Sequence, residues 1–148
     1  MPGECHDRMK RFFEESDIGH GTAAPLRQKA VAFAEFEGDV EKYELVKLGK
    51  RCVLRPRKSK KAEVLFRFSK GSIDHLFEPP PESVHDFINR FFDCLIEKAP
   101  SKKAVVKLLT SIFDGWRKGY INMLLQGGGR AIPTMSKVGI NIPLKLLR

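Results

Sequence analysis

The chain has 148 residues, a formal net charge of +9, 42% apolar and 30% charged residues. That length is one ordinary domain, able to bury a core without disulfide or metal staples. No run of 18 apolar residues offers a membrane span, and the charged N-terminal stretch "MPGECHDRMKRFFEESD" has no leader-like apolar core, so we read the protein as cytoplasmic.

Cys5, Cys52 and Cys94 have no metal-ligand spacing and cannot all pair, which suggests free thiols in a reducing compartment. Eleven phenylalanines must either fill a thick core or line a cavity.

Residues 4 to 15 place Met9, Phe12 and Phe13 at helical spacing among charged residues, predicting a short amphipathic helix. "DIGHGTAAP", 17 to 25, reads as a loop because two glycines and a proline interrupt the pattern. From Val31 the period becomes two, with Ala32, Ala34 and Phe36 on one face of "VAFAEFE" and Glu35 and Glu37 on the other. "YELVKL" (43–48), "CVLRP" (52–56) and "AEVLFRF" (62–68) are three further strands separated by turn-like segments. Such short connections predict an antiparallel meander.

Ser69 caps a helix over "KGSIDHLFE", which the prolines at 79 to 81 end. Ser83 caps a second, whose stripe of Val84, Phe87, Ile88, Phe91, Phe92, Leu95 and Ile96 faces one way. A third helical pattern runs from Ser101 to about Gln126, through Val105, Leu108, Ile112, Phe113, Trp116 and Tyr120, weakened at Gly115 and Gly119. "GGG" at 127 to 129 stops it, and within the tail "INIPLKLL" can supply an edge strand. The fold class is therefore α+β, a sheet of about five strands covered by an N-terminal helix and two or three amphipathic helices.

No arrangement of side chains announces chemistry. His6, His20, His75 and His85 have no partners at ligand or relay spacing and read as surface histidines. "QGGGR" lacks the strand before and helix after that a phosphate loop requires, so the glycines read as a helix stop. Cys52 and Cys94 have no activating base nearby in sequence and read as small apolar residues. We read the chain as non-catalytic, with no cofactor and no metal.

Eight of the 27 Lys and Arg residues fall between Lys47 and Lys61, a window without a carboxylate; the other 19 face 18 Asp and Glu. They are Lys47, Lys50, Arg51, Arg55, Arg57, Lys58, Lys60 and Lys61. Nucleic-acid binding through this segment is one reading, but the window holds no aromatic side chain to stack on a base. Two solvated turns flanking a short strand are the simpler reading, and contact with an anionic membrane surface is a functional one.

The order of these elements resembles the opening of the sterol carrier protein 2 domain. Residues 28 to 78 carry the likeness: an apolar strand ending near Phe36 and Gly38, "YELVKLGK" with its Gly-containing turn, the short "RCVLRP", the alternating "AEVLFRFS" and the helix "IDHLFE". The resemblance implies an α+β fold, a five-stranded sheet and an apolar tunnel that holds fatty acyl chains, sterols or other lipids without catalysis. It also makes an accessory role beside a separate enzyme relevant, since the family's domain occurs attached to enzymes. For a non-catalytic binder of a hydrophobic ligand, the pocket-lining residues expected here are Phe66, Phe68, Phe87, Phe91, Leu95, Ile112, Phe113, Trp116 and Leu124.

Overall fold

A computed structural model describes residues 3 to 143. Seven helices and five strands follow one another as α1 (Glu4–Glu15), α2 (Asp17–Ala23), β1 (Val31–Phe36), β2 (Tyr43–Leu48), β3 (Arg51–Pro56), β4 (Val64–Phe68), α3 (Lys70–Phe77), α4 (Val84–Leu95), β5 (Ala104–Leu108), α5 (Ile112–Arg117), α6 (Tyr120–Leu125) and α7 (Ala131–Lys137) among the described residues. The α+β class and the five-stranded sheet expected from the sequence are both present.

The strands lie in the order β3-β2-β1-β4-β5. β1–β2, β2–β3 and β4–β5 are antiparallel, whereas β1 and β4 run parallel, with Ala34 opposite Phe66. The sheet is thus mixed and not a simple meander. The β2–β3 hairpin itself supplies the long crossover that a parallel pair needs. β3 cannot take β4 on its far side because α1 occupies that edge: the Leu54 amide donates to Glu14 Oε2 (3.0 Å), and Lys10 Nζ donates to the Leu54 carbonyl (3.0 Å). The otherwise open ladder edge is closed by side chains.

The helix starts follow their caps. Ser69 and Ser83 accept from the amides of Ser72 and Asp86, as the sequence predicts. Of residues 17 to 25, expected as a loop, Asp17–Ala23 instead form α2. Ser16 caps it by accepting from the Gly19 amide (2.9 Å), and a Cβ on Gly19 would lie 1.8 Å from the Phe12 carbonyl oxygen. That glycine permits helix contact and does not mark a break.

The expected long helix from Ser101 to Gln126 is also replaced. Its first part is the edge strand β5, pairing Val106 with Phe66. Its remainder is two short helices broken at Gly119, whose φ is 96°. "GGG" does stop α6, but the chain then enters a 3-10 turn and α7. "INIPLKLL" supplies no strand through residue 143; residues 144 to 147 of it lie outside the described residues.

On the inner face of the sheet, Ala32, Ala34, Leu45, Leu54, Phe66 and Phe68 meet apolar residues of α1, α4 and α6. Over the outer face folds the segment after β3, where Lys58 and Ser59 donate their amides to Glu44 Oε1.

Candidate functional site

The inner-face residues and the helices do not close on one another completely. Met9 and Phe13 of α1, Thr22 of α2, Phe87, Ile88 and Phe91 of α4, and Tyr120, Met123 and Leu124 of α6 surround a pocket floored by Ala32, Ala34, Leu45, Leu54, Phe66 and Phe68. The volume open to the centre of a water-sized sphere is about 40 Å³. No charged side chain among the described residues lines it. Thr22 and Tyr120 are the lining residues that carry a hydroxyl.

Small side chains on β1 create the space. Ala32 and Ala34 stand where larger residues would reach the helices, flanked on β4 by Phe66 and Phe68, whose ring centres lie 6.1 Å apart. Phe91 meets Phe66 edge-on at 5.7 Å, and Phe12 stacks on Phe87 at 4.2 Å behind the wall. These contacts are the geometries that aromatic quadrupoles favour.

Of the residues expected to bind ligand, Phe66, Phe68, Phe87, Phe91 and Leu124 stand at this pocket. Leu95 is buried in the core but does not reach it. Ile112 is half-buried, while Phe113 and Trp116 are 43% and 37% exposed on α5. Formation of β5 accounts for this difference, since shortening the helix turns that stretch outward. Sequence reading missed Met9, Phe13, Leu26, Ile88, Tyr120 and Met123. One signal was available: alternation of alanine on the inner face of β1 leaves room above the sheet.

Thr22 Oγ1 donates to the Ile18 carbonyl (2.8 Å). The Tyr120 hydroxyl is buried and has no hydrogen-bond partner among the described residues, although the residue is only 3% exposed. Burial, with Glu63 and Cys52 nearby, raises its pKa well above the ordinary tyrosine value and keeps the phenol protonated.

The basic segment comes apart on inspection. Lys47 is 4% exposed and donates to the carbonyls of Ala23 (2.6 Å) and Ala24 (3.4 Å), capping the C-terminal, negative end of α2. Arg51 donates to the Glu14 carbonyl, and Arg55 Nε donates to Glu44 Oε2 at 2.9 Å. Arg57 bonds Glu35 and lies over Phe33. Lys50, Arg51, Lys58, Lys60 and Lys61 remain exposed without an ion pair among the described residues, Arg51 holding only a backbone carbonyl.

Other titratable groups lie apart from the pocket. His6, expected at the surface, is buried against Tyr43, ring centres 4.4 Å apart. His75 pairs with Asp93 across two helices (2.8 Å), a contact that neighbouring residues in sequence do not announce, in a half-exposed setting where such pairs contribute little. All three cysteines are unpaired, and burial pushes the thiols of Cys52 and Cys94 up to about 12, so both stay protonated near neutral pH. No group of three metal-ligating side chains occurs among the described residues. No described helix is long and apolar enough to cross a membrane.

No family model matches the chain, and no curated protein matches it. A solved structure described as "UbiJ-SCP2 Ubiquinone synthesis protein" is similar to it, with 13% sequence identity over 80% of this chain and 88% of that chain, at a TM-score of 0.45.

Proposed function

We propose that the protein binds a hydrophobic small molecule, a fatty acyl chain, a sterol-like molecule or another lipid, in the pocket between sheet and helices, and carries it without chemical change. The supporting observation is the pocket itself, a space walled by aliphatic and aromatic side chains and free of charge, to which both layers of the fold contribute. Desolvation supplies the affinity, about 0.8 kcal/mol for each methylene taken out of water.

Pockets that hold small molecules usually measure about 300–1,000 Å³, so a volume of about 40 Å³ means that the walls must part before a lipid can enter. In this reading the wall that moves is α6. It is six residues long, begins at Gly119 and ends at Gly127 to Gly129. Among the described residues, three polar ties hold it and its ends to the rest of the chain: Gln126 Nε2 donates to the Thr22 carbonyl (3.1 Å), just before α6 the Lys118 carbonyl accepts from the Arg27 amide (2.9 Å), and just after it the Gly127 carbonyl accepts from Asn89 Nδ2 (3.0 Å). Outward displacement of α6 carries Tyr120, Met123 and Leu124 away from Ala32 and Ala34 and opens the space.

Loading takes place at an anionic membrane surface. Leu109, Phe113 and Trp116 are exposed on and beside α5, immediately before α6. Lys60 and Lys61 share a surface groove with Leu109, and Arg117 and Lys118 follow Trp116. Interfacial aromatic groups rimmed by Lys and Arg suit an anionic bilayer, each cation contributing about 1 kcal/mol near the surface.

Titration with the neutral probe N-phenyl-1-naphthylamine tests the carrier reading. Saturable binding at one site per chain, lost in Ala34→Phe with the fold retained, is expected. Absence of saturable binding overturns it.

A further inference from the structure

Buried tyrosine hydroxyls almost always have a partner. Tyr120 departs from that rule at the wall of an otherwise apolar pocket, where an unmade hydrogen bond is most costly. Thr22 Oγ1 has its proton engaged by Ile18 but keeps lone-pair capacity. The residues lining the pocket therefore bring one buried donor without a partner among the described residues, on Tyr120 beside Glu63 and Cys52, and the acceptor capacity of Thr22, while no charged side chain among the described residues lines the space. An ionised head group placed there would be buried without a counter-ion, which costs far more than one hydrogen bond returns.

We infer that Tyr120 is the polar anchor of the pocket and that it selects a neutral lipid bearing an uncharged oxygen, such as a long-chain alcohol, ester or ketone, over a pure hydrocarbon or a fatty carboxylate. This rests on the carrier reading above and adds the chemical class of cargo to it. The phenol donates to the carbonyl or hydroxyl oxygen of the lipid, while the chain occupies the phenylalanine-lined floor. A cargo hydroxyl can in turn donate to a lone pair on Thr22 or on Tyr120 itself. Closure of α6 over the ligand brings the donor with it, since Tyr120 is the first residue of that helix.

The test is displacement of N-phenyl-1-naphthylamine by 1-dodecanol, methyl dodecanoate, dodecanoate and dodecane, in the wild type and in Tyr120→Phe. Removing the hydroxyl should weaken dodecanol and methyl dodecanoate by roughly five- to tenfold, the worth of one hydrogen bond, and leave dodecane unchanged. Dodecanoate should bind more weakly than its methyl ester at neutral pH. Equal effects of the substitution on all four compounds, or dodecanoate binding more tightly than the ester, overturn the assignment of Tyr120 while the carrier reading stands. Failure of the probe to bind the wild type overturns both.

A second readout needs no ligand. Because the hydroxyl has no partner among the described residues, Tyr120→Phe extracted with organic solvent should melt at or above the temperature of wild type extracted in the same way. A fall of more than about 3 °C, near 1 kcal/mol for a chain of this size, would show that the hydroxyl is bonded within the protein and would overturn the inference.

Discussion

The guanidinium carbon of Arg57 lies 3.8 Å from the centre of the Phe33 ring, on the sheet face turned away from the helices. The same side chain donates from Nη2 to Glu35 Oε2 (3.4 Å), while Glu35 Oε1 accepts from Arg67 Nε (3.0 Å). A residue from the most cationic part of the chain is thus an internal strap over β1. Arg57→Ala should cost about 1–2 kcal/mol in urea unfolding, and Arg57→Lys should recover little of it, since an ammonium cannot lie flat on the ring and bridge to the carboxylate together.

Glu44 is the second attachment of that strap. Its side chain is wholly buried, which alone would raise its pKa, yet hydrogen bonds from the Ser59 and Lys58 amides and from Arg55 outweigh burial and hold it below the ordinary value of 4.5. A carboxyl depressed in the folded state contributes stability that is complete above its unfolded pKa and is lost as pH falls through the folded one. Glu44→Ala should therefore cost about 3 kcal/mol at pH 7, and the gap from wild type should narrow as urea melts are repeated below pH 4.

Gly119 meets two demands at once. Its φ of 96° disfavours any side chain, and a Cβ there would sit 2.0 Å from the Pro25 carbonyl oxygen. Gly49 has a similar φ of 70° with nothing within 4 Å of the same position. Gly49→Ala should cost only the backbone strain, about 1–2 kcal/mol, and Gly119→Ala clearly more. Thermal melts of the pair separate the steric share from the conformational one.

Ala34→Phe fills the pocket from its floor. Overpacking should cost about 1–3 kcal/mol, so the variant stays folded, while occupancy by any lipid falls below detection. Far-ultraviolet circular dichroism reads the first outcome and probe titration the second.

Much of this architecture was legible in the chain. β1 alternates on the inner face as its sequence alternates, and Ser69 and Ser83 start helices where capping chemistry puts them. α4 buries Phe87, Ile88, Phe91, Phe92 and Leu95 of its expected stripe, whereas Val84 is half-buried and Ile96, just past the helix, is exposed. What misled were segments whose local pattern serves two structures. Val105, Leu108, Leu109 and Ile112 fall at helical spacing, but β4 offers an open edge, and pairing with it makes "AVVKL" a strand. Gly19 and Gly21 look like breakers until Phe12 is placed against α2. The parallel β1–β4 pair depends on α1 covering β3, a contact between residues 40 apart.

The pocket was half legible for the same reason. Phe66, Phe68, Phe87, Phe91 and Leu124 belong to elements read correctly in kind, or end a helix whose C-terminus was read correctly, and they reach the site. Phe113 and Trp116 belong to the misread stretch and do not. Tyr120 stood in view as an aromatic residue one turn from Trp116, but nothing in sequence says which hydroxyl will lack a partner. The fate of the basic segment was equally hidden, because Glu14, Glu35 and the end of α2 approach it only in space.

Native mass spectrometry of the purified protein, before and after extraction with organic solvent, addresses the central claim most directly. The account predicts a mass excess of one neutral lipid per chain that the solvent removes, and its return when the extracted protein is incubated with lipid vesicles. A bare-chain mass in every one of these samples would contradict it.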